Sequence, residues 1–155
     1  MRPLLVAVAL CSVLSTMAGG DRELRSPDGR TLIRISWAAD LRWSVVHDGI
    51  TVLDPSPIGM ELADGRRLGT SPVFVKATET EVRTFITPPV AAKRKQIPEV
   101  YHELLLRFKG DHAVAFRAYD DGVAYRFITS FRDDSITIRN ETARFILPAS
   151  HPLIY

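Results

Sequence analysis

FRAYDDGVAYRF, residues 116–127, has the pattern of a β-hairpin. Its pair Asp121-Gly122 can supply the positive φ angles that a tight type I′ turn requires. The arms on both sides carry aromatic, apolar and Arg residues and contain no proline. Facing pairs of such residues stabilise a hairpin by about 0.2–1 kcal/mol each. The stretch therefore predicts two antiparallel strands joined at Asp121-Gly122.

Three further Asp-Gly pairs precede this hairpin, and each can close a tight turn: Asp28-Gly29, Asp48-Gly49 and Asp64-Gly65. The clearest pattern surrounds the second pair. Apolar and polar residues alternate in Thr31–Trp37 and in Leu41–His47, and such alternation is typical of half-buried strands. We therefore predict a hairpin in which Asp48-Gly49 turns the chain into a strand over residues 50–53.

Strand-like runs account for most of the remaining chain, over residues 58–62, 73–77, 82–86, 101–108, 113–128, 135–139 and 143–147. The segment 102–108 could also form a helical turn, but its aromatic and branched neighbours favour a strand. Pro88, Pro89 and Pro98 preclude a central strand between residues 87 and 98. Many short strands with turn signals between them indicate an all-β fold, an antiparallel β-sandwich.

The first 18 residues are predicted to be a signal peptide. Arg2 supplies the positive start, residues 4–14 are apolar, and small residues end at Ala18. The apolar run is shorter than the about 20 residues that a membrane-spanning helix needs. Cys11 follows Leu10, whereas a lipid-attachment site has Gly or Ala there. We therefore expect an exported protein, periplasmic or extracellular, that is free of the membrane once this peptide is cleaved. An uncleaved interfacial anchor is the alternative.

Composition indicates a single domain over residues 19–155. Cys11 is the only cysteine of the chain, so the mature domain must be held by its core without disulfides. The formal net charge is +2, whereas nucleic-acid-binding domains carry a strongly basic face. This balance argues against a nucleic-acid partner.

The catalytic motifs that can be recognised by spacing are missing from the sequence. It contains no Gly-rich phosphate loop, HExxH zinc motif, serine elbow or metal-spaced set of Cys and His. Glycoside hydrolysis needs two carboxyl groups about 5–10 Å apart. Most acidic residues are better explained as turn, loop or surface residues: Glu61, Glu79, Glu81, Asp120, Asp121, Asp133 and Asp134.

Glu103 and Glu141 are stronger candidates because apolar strands are predicted beside them. The favoured interpretation is nevertheless an ion pair with a nearby arginine, since a partly buried carboxylate needs a partner. The available arginines are Arg107, Arg117, Arg126 and Arg144. His102 and Glu103 are adjacent on a strand, so they point to opposite faces and cannot share one metal ion. We therefore assign no residue of this chain to a catalytic, cofactor-binding or metal-binding role.

Five aromatic side chains could form a platform on which a sugar ring stacks: Trp37, Trp43, Tyr101, Tyr119 and Tyr125. Trp37 and Trp43, however, share a face with neighbouring Ile and Val residues in the alternating pattern. Packing in the hydrophobic core is therefore the favoured role of both tryptophans.

Several segments, in order along the chain, resemble the N-terminal domain of glycoside hydrolase family 97. The hairpin at 116–127 is the most specific of them. The others are LRSPDGR (24–30), WSV (43–45), SPIGMEL (56–62), YHEL (101–104) and ETARFILP (141–148). His102 departs from the family pattern, in which Asn is more usual. Residues 19–155 are thereby identified as a partial N-terminal β-sandwich domain of this family.

The resemblance implies a galactose-mutarotase-like supersandwich that packs against a (β/α)8 barrel. Known members are α-glucosidases and α-galactosidases, often with calcium, and their barrel supplies the catalytic carboxylates. The N-terminal domain contributes one Glu to the calcium site, C-terminal to the region that matches residues 145–148, and residues 1–155 do not reach that position. We therefore expect no cofactor in this chain. The chain is also short for the full supersandwich, so we expect an incomplete sandwich that is poorly stable alone.

The function implied by the resemblance is that of a non-catalytic, carbohydrate-associated domain. It would brace the barrel of an enzyme that hydrolyses α-glycosidic bonds. The chain alone is expected to be inactive because the catalytic barrel is absent from it. Its expected partners are that barrel and an α-linked oligosaccharide. The alternatives are a free-standing carbohydrate-binding β-sandwich module and a structural sandwich used for protein contacts in the cell envelope.

Overall fold

The computed structural model describes residues 19–90, 95–133 and 135–149. These residues form ten strands: β1 (Gly20–Arg25), β2 (Thr31–Trp37), β3 (Leu41–His47), β4 (Ile50–Leu62), β5 (Arg67–Leu68), β6 (Phe74–Ile86), β7 (Ile97–Phe108), β8 (His112–Ala118), β9 (Val123–Thr129) and β10 (Ile138–Ala143). No helix of the described residues is long and apolar enough to cross a membrane. The predicted signal peptide, residues 1–18, lies outside the described residues.

The strands form two antiparallel sheets that pack face to face. The six-stranded sheet has the order β1-β2-β3-β4-β10, with the short β5 paired to β4. The four-stranded sheet has the order β6-β7-β8-β9. Neighbours in sequence are mostly neighbours in space, because short turns join antiparallel strands. This arrangement confirms the predicted all-β antiparallel sandwich.

Strand β4 is longer than the sequence predicted. We expected separate strands at 50–53 and 58–62, but one strand runs through Pro55 and Pro57. The prolines are tolerated because the strand exchanges neighbours near them. Its first part pairs with β3, with register shifts, and its last five residues pair with β10. A proline that lacks a ladder hydrogen bond is least costly at such an irregularity.

Strands β6 and β7 also extend beyond their predicted ends. The polar residues Glu79–Glu81 were expected to connect two strands, but they belong to one continuous strand, β6. The predicted interruption over 87–98 is wrong at its C-terminal end, because β7 already begins at Ile97. Pro98 pairs with Phe85 of β6, whereas β8 pairs with β7 only from His102 onward. One edge of β7 is therefore free near Pro98, and a free edge accepts proline.

The predicted bounds of the C-terminal strands were wrong. We expected strands at 135–139 and 143–147, but a single strand covers Ile138–Ala143. Beyond it, Ile146 makes only an isolated bridge to Asp54. All six residues of β10 are exposed, so no second layer covers this strand among the described residues. Without a buried face, β10 lacks the alternation by which strand ends are recognised.

The Asp-Gly turns differ from one another. Asp48 and Gly49 have φ angles of 49° and 79° between the paired residues His47 and Ile50, as a type I′ turn requires. At the hairpin of residues 116–127, the predicted position of the turn is wrong by one residue. The Tyr119 N–H donates to the Gly122 carbonyl oxygen at 2.8 Å, so Asp120 and Asp121 form the centre of that turn.

A hydrogen bond also joins this turn to a distant one. The backbone N–H of Asp28 donates to Oδ1 of Asp120 at 2.9 Å. In turn, Ser26 Oγ donates to Oδ1 of Asp28 at 2.6 Å, and this bond lowers the pKa of the Asp28 carboxyl. The β1–β2 and β8–β9 turns are thereby joined across the two sheets. Gly122 follows the central pair and does not adopt a left-handed conformation.

The hydrophobic core lies between the inner faces of the sheets. Its fully buried members include Ile33, Ile35, Leu106, Val114 and Phe116. Trp37 and Trp43 are each only 4% exposed, which confirms their predicted place in the core. Trp37 stacks on Phe74 with ring centroids 4.9 Å apart. Trp43 meets Tyr125 edge-on at 5.3 Å and Phe116 at 6.3 Å.

Gly49 and Gly122 offer a matched test of the two turns. Gly49→Ala should lower the free energy of unfolding by about 1–2 kcal/mol, because alanine must then adopt the left-handed conformation. Gly122→Ala should change it by less than about 0.5 kcal/mol, since no atom lies within 4 Å of the added Cβ and its φ is not left-handed. Urea unfolding of both variants measures the difference. Equal losses would contradict the turn assignment.

Candidate functional site

The strongest cluster of charged and aromatic side chains lies on the outer face of the four-stranded sheet. Along β7, outward residues alternate with the core residues Leu104 and Leu106. Glu103 on β7 is directly opposite Arg117 on β8. Arg117 Nε donates to Glu103 Oε2 at 2.7 Å, and the two side chains are 24% and 22% exposed. This half-buried pair confirms the predicted ion-pair role of Glu103 and selects Arg117 from the four candidate arginines.

Two tyrosines and a second carboxylate complete this outer cluster. Glu99 Oε1 lies 3.7 Å from Arg117 Nη1, so the guanidinium lies between two carboxylates. The guanidinium also covers the Tyr101 ring at 4.3 Å, and the Tyr101 and Tyr119 rings are 5.0 Å apart. Cation–π contacts of this kind add about 0.5–1 kcal/mol at exposed sites. Tyr101 is 6% exposed although it points away from the core.

The ionisation states of Arg117 and Tyr101 in this cluster are set by burial and by their partners. Burial is the largest single influence and would lower the pKa of Arg117, but the hydrogen bonds to Glu103 and Tyr119 and the nearby negative charge together outweigh it, so the net shift of the pKa is upward. Burial likewise raises the pKa of the Tyr101 hydroxyl. Arg117 is thus a permanent cation held between Glu99, Glu103 and Tyr101. Such a group can rigidify the sheet surface and orient a neighbouring segment, because its planar guanidinium engages several partners at once.

The other acidic candidates are dispersed. Glu141 is exposed on β10 and makes no ion pair within the described part of the chain, so its predicted burial and pairing were wrong. Asp133 pairs with Arg66 at 3.3 Å, and Glu61 lies 3.8 Å from Arg139. Glu79 and Glu81 are exposed on β6, Asp120 and Asp121 form a turn, and Asp134 lies outside the described residues.

Among the histidines, His102 lies near one of these carboxylates, with its Nε2 4.0 Å from Oε2 of the exposed Glu81. Nδ1–H of His102 donates to the Arg25 carbonyl oxygen at 2.8 Å, on the side of β7 opposite Glu103, as strand alternation predicted. His112 is buried against Phe108 with ring centroids 5.6 Å apart, and its burial lowers its pKa. His112 was not among the residues that the sequence marked as candidates. The sequence pattern that indicates its burial is the alternation of inward-facing residues at 112, 114, 116 and 118 in β8.

Calcium, which the resemblance implies for complete enzymes, can be tested against these side chains. Within 19–90, 95–133 and 135–149, no group of three or more His, Cys, Asp or Glu residues could hold a metal ion. The neighbouring carboxylates Glu99 and Glu103 are already bound to Arg117. These residues therefore do not fit a calcium ion, and no chemical step is assigned to one here.

Removing the charge of Arg117 should be costly. Arg117→Met is expected to lower the free energy of unfolding by about 1–3 kcal/mol, because it leaves half-buried carboxylates without their donor. The matched control is Arg126→Met on β9, an exposed residue of the same sheet face, which should change stability by less than about 0.5 kcal/mol. Chemical denaturation measures both. Similar values for the two variants would show that the outer cluster does not stabilise the sheet.

The sequence is similar to that of known glycoside hydrolases. A family model described as the glycosyl-hydrolase 97 N-terminal domain matches residues 24–155. A retaining alpha-galactosidase of Bacteroides thetaiotaomicron is 36% identical over 124 residues. That match covers 80% of this chain and 18% of the galactosidase.

Solved structures share the same fold. A family 97 glycoside hydrolase of Pseudoalteromonas sp. strain K8, in complex with acarbose, superposes with a TM-score of 0.71 at 23% identity. The match covers 84% of this chain and 21% of that enzyme. A beta-arabinopyranosidase superposes with a TM-score of 0.72 at 20% identity, over 82% of this chain and 21% of that one. The chain therefore spans about a fifth of the length of these relatives. It belongs to the glycoside hydrolase family 97 N-terminal domain family.

Proposed function

We propose that this chain is the non-catalytic N-terminal sandwich of a family 97 glycoside hydrolase. In this proposal it braces a (β/α)8 barrel that hydrolyses an α-glycosidic bond in an α-linked oligosaccharide. The observation that carries the proposal is the match of residues 24–155 to the N-terminal domain model. In the Bacteroides galactosidase the matched segment is 18% of the protein, so most of that enzyme lies outside the matched segment.

The geometry of the side chains supports a bracing role. Glu103, the strongest carboxylate candidate, is engaged by Arg117 at 2.7 Å. A general acid must instead be held within reach of the bond that it protonates. Trp37 and Trp43, the best candidates for stacking on a sugar, are buried between the sheets. These two side chains therefore do not support the alternative of a free-standing carbohydrate-binding module.

The proposed location follows from the sequence of the first 18 residues. Arg2, the apolar run 4–14 and Ala18 have the composition of a signal peptide. We propose export to the periplasm or the extracellular space, where a sandwich without cysteine needs no oxidising conditions to fold. Mass spectrometry of the mature N-terminus in the native host would test this cleavage.

Activity and association measurements test the proposal together. The chain 19–155 should give no turnover of p-nitrophenyl α-glucoside or α-galactoside above buffer, with the complete Bacteroides galactosidase as the positive control. A tagged chain should also copurify with the part of that galactosidase that it does not match, when the two are coexpressed. Turnover by the chain alone, or failure to copurify although both polypeptides are soluble, would overturn the bracing role.

A further inference from the structure

The hairpin of β6 and β7 reaches beyond the four-stranded sheet. These two strands pair along Phe74–Ile86 and Ile97–Phe108. The next strand, β8, pairs with β7 only between His102 and Phe108. Residues 82–86 and 97–101 therefore continue as a two-stranded ribbon, which we name the β6–β7 arm. A two-stranded ribbon is marginally stable in water by itself.

Large apolar side chains are exposed on both faces of this arm. Phe85 is 64% exposed, Ile86 45% and Ile97 42%, and Val90 beyond the strand is 76% exposed. Ile86 is directly opposite Ile97, and Phe85 is opposite Pro98. Successive strand residues point to opposite faces, so both faces carry apolar surface. Exposed strands usually bear charged residues that prevent association, and a contiguous apolar patch marks an interaction surface.

The base of the arm is anchored to the sheet by the outer cluster. Glu99 lies on the arm, opposite Thr84, whereas Arg117 lies on β8. Their 3.7 Å ion pair links the two, and Arg117 also covers Tyr101, which is opposite Val82. The arm is therefore held in place at its base, whereas its side chains Phe85, Ile86 and Ile97 are exposed among the described residues. A preorganised element loses less entropy on binding than a mobile one.

We propose that the β6–β7 arm is a docking element for the catalytic part of a family 97 glycosidase. This inference rests on the proposed function. In the matched relatives the segment similar to this chain is about a fifth of the length, so a large remainder of the same polypeptide is always near it. Covalent linkage gives a high effective concentration, and permanent interfaces are apolar like a protein core. The exposed side chains of Phe85, Ile86 and Ile97 suit such a partner and offer no hydrogen-bonding groups to a sugar.

Variants in the β6–β7 arm and at the opposite end of β6 test the proposal. The probe is the part of the Bacteroides galactosidase that this chain does not match, coexpressed with tagged chain 19–155. Phe85→Glu and Ile97→Glu should each weaken association by about tenfold or more, as expected for apolar residues at the centre of an interface. The matched control is Val75→Glu in the same strand, where Val75 is 57% exposed, and it should change affinity by less than about twofold.

Each outcome distinguishes the arm from the bracing role. If the unmodified chain binds but Phe85→Glu and Val75→Glu behave alike, the arm is not the docking element and the proposed function stands. If the unmodified chain does not bind, both proposals fail. If the chain dimerises alone and Phe85→Glu yields monomers, a second copy covers the arm and the inference is overturned. Circular dichroism of each variant checks folding, and amide exchange should slow at 82–86 and 97–101 only in the complex.

Discussion

The rest of the molecule depends on the contact between two tryptophans of one sheet and the aromatic rings of the other. Trp37 and Trp43 lie on the adjacent strands β2 and β3 of the six-stranded sheet. The four-stranded sheet supplies Phe74 and Phe108 around Trp37, and Phe116 and Tyr125 around Trp43. Each ring buries a large apolar area and prefers particular tilts, so these contacts fix both the spacing and the relative position of the sheets.

Much of this frame could be predicted from local sequence. Alternation over Thr31–Trp37 and Leu41–His47 gave β2 and β3 correctly, because each strand has one buried and one solvated face. The turn at Asp48-Gly49 was predictable because both residues adopt positive φ angles. The hairpin over residues 116–127 was predicted, but its turn residue Asp120 is bonded to Asp28, 92 residues away. A contact of that kind leaves no signal in the hairpin itself.

The type of interaction at the candidate site could be predicted from the sequence, but the residues that make it could not. An arginine partner for Glu103 followed from the cost of burying a carboxylate, but the choice of Arg117 required the register of β7 and β8. A strand over 82–86 was predicted, but its continuity with the preceding strand was missed, because the exposed Glu79 and Glu81 replace the alternation that marks a half-buried strand. Likewise, Glu141 was expected to be partly buried, but nothing covers β10 in the described part of the chain.

These features give the two sheets different roles. The six-stranded sheet contributes Trp37 and Trp43, while the four-stranded sheet supports Arg117 and carries the arm beyond the edge of the core. A sandwich that is rigid at its centre can hold such an arm in a fixed direction, which bracing a second domain requires. The physical premise of the account is therefore that the sheets are energetically coupled through their rings.

A double-mutant cycle between Trp43→Leu and Tyr125→Leu measures that coupling most directly, because the two rings belong to different sheets and lie 5.3 Å apart. The account predicts a coupling energy of about 0.5–1.5 kcal/mol in urea unfolding. The control cycle combines Trp43→Leu with Phe74→Leu, since Phe74 packs against Trp37 instead, and it should be additive within about 0.5 kcal/mol. Additive losses for Trp43 and Tyr125 would contradict the account.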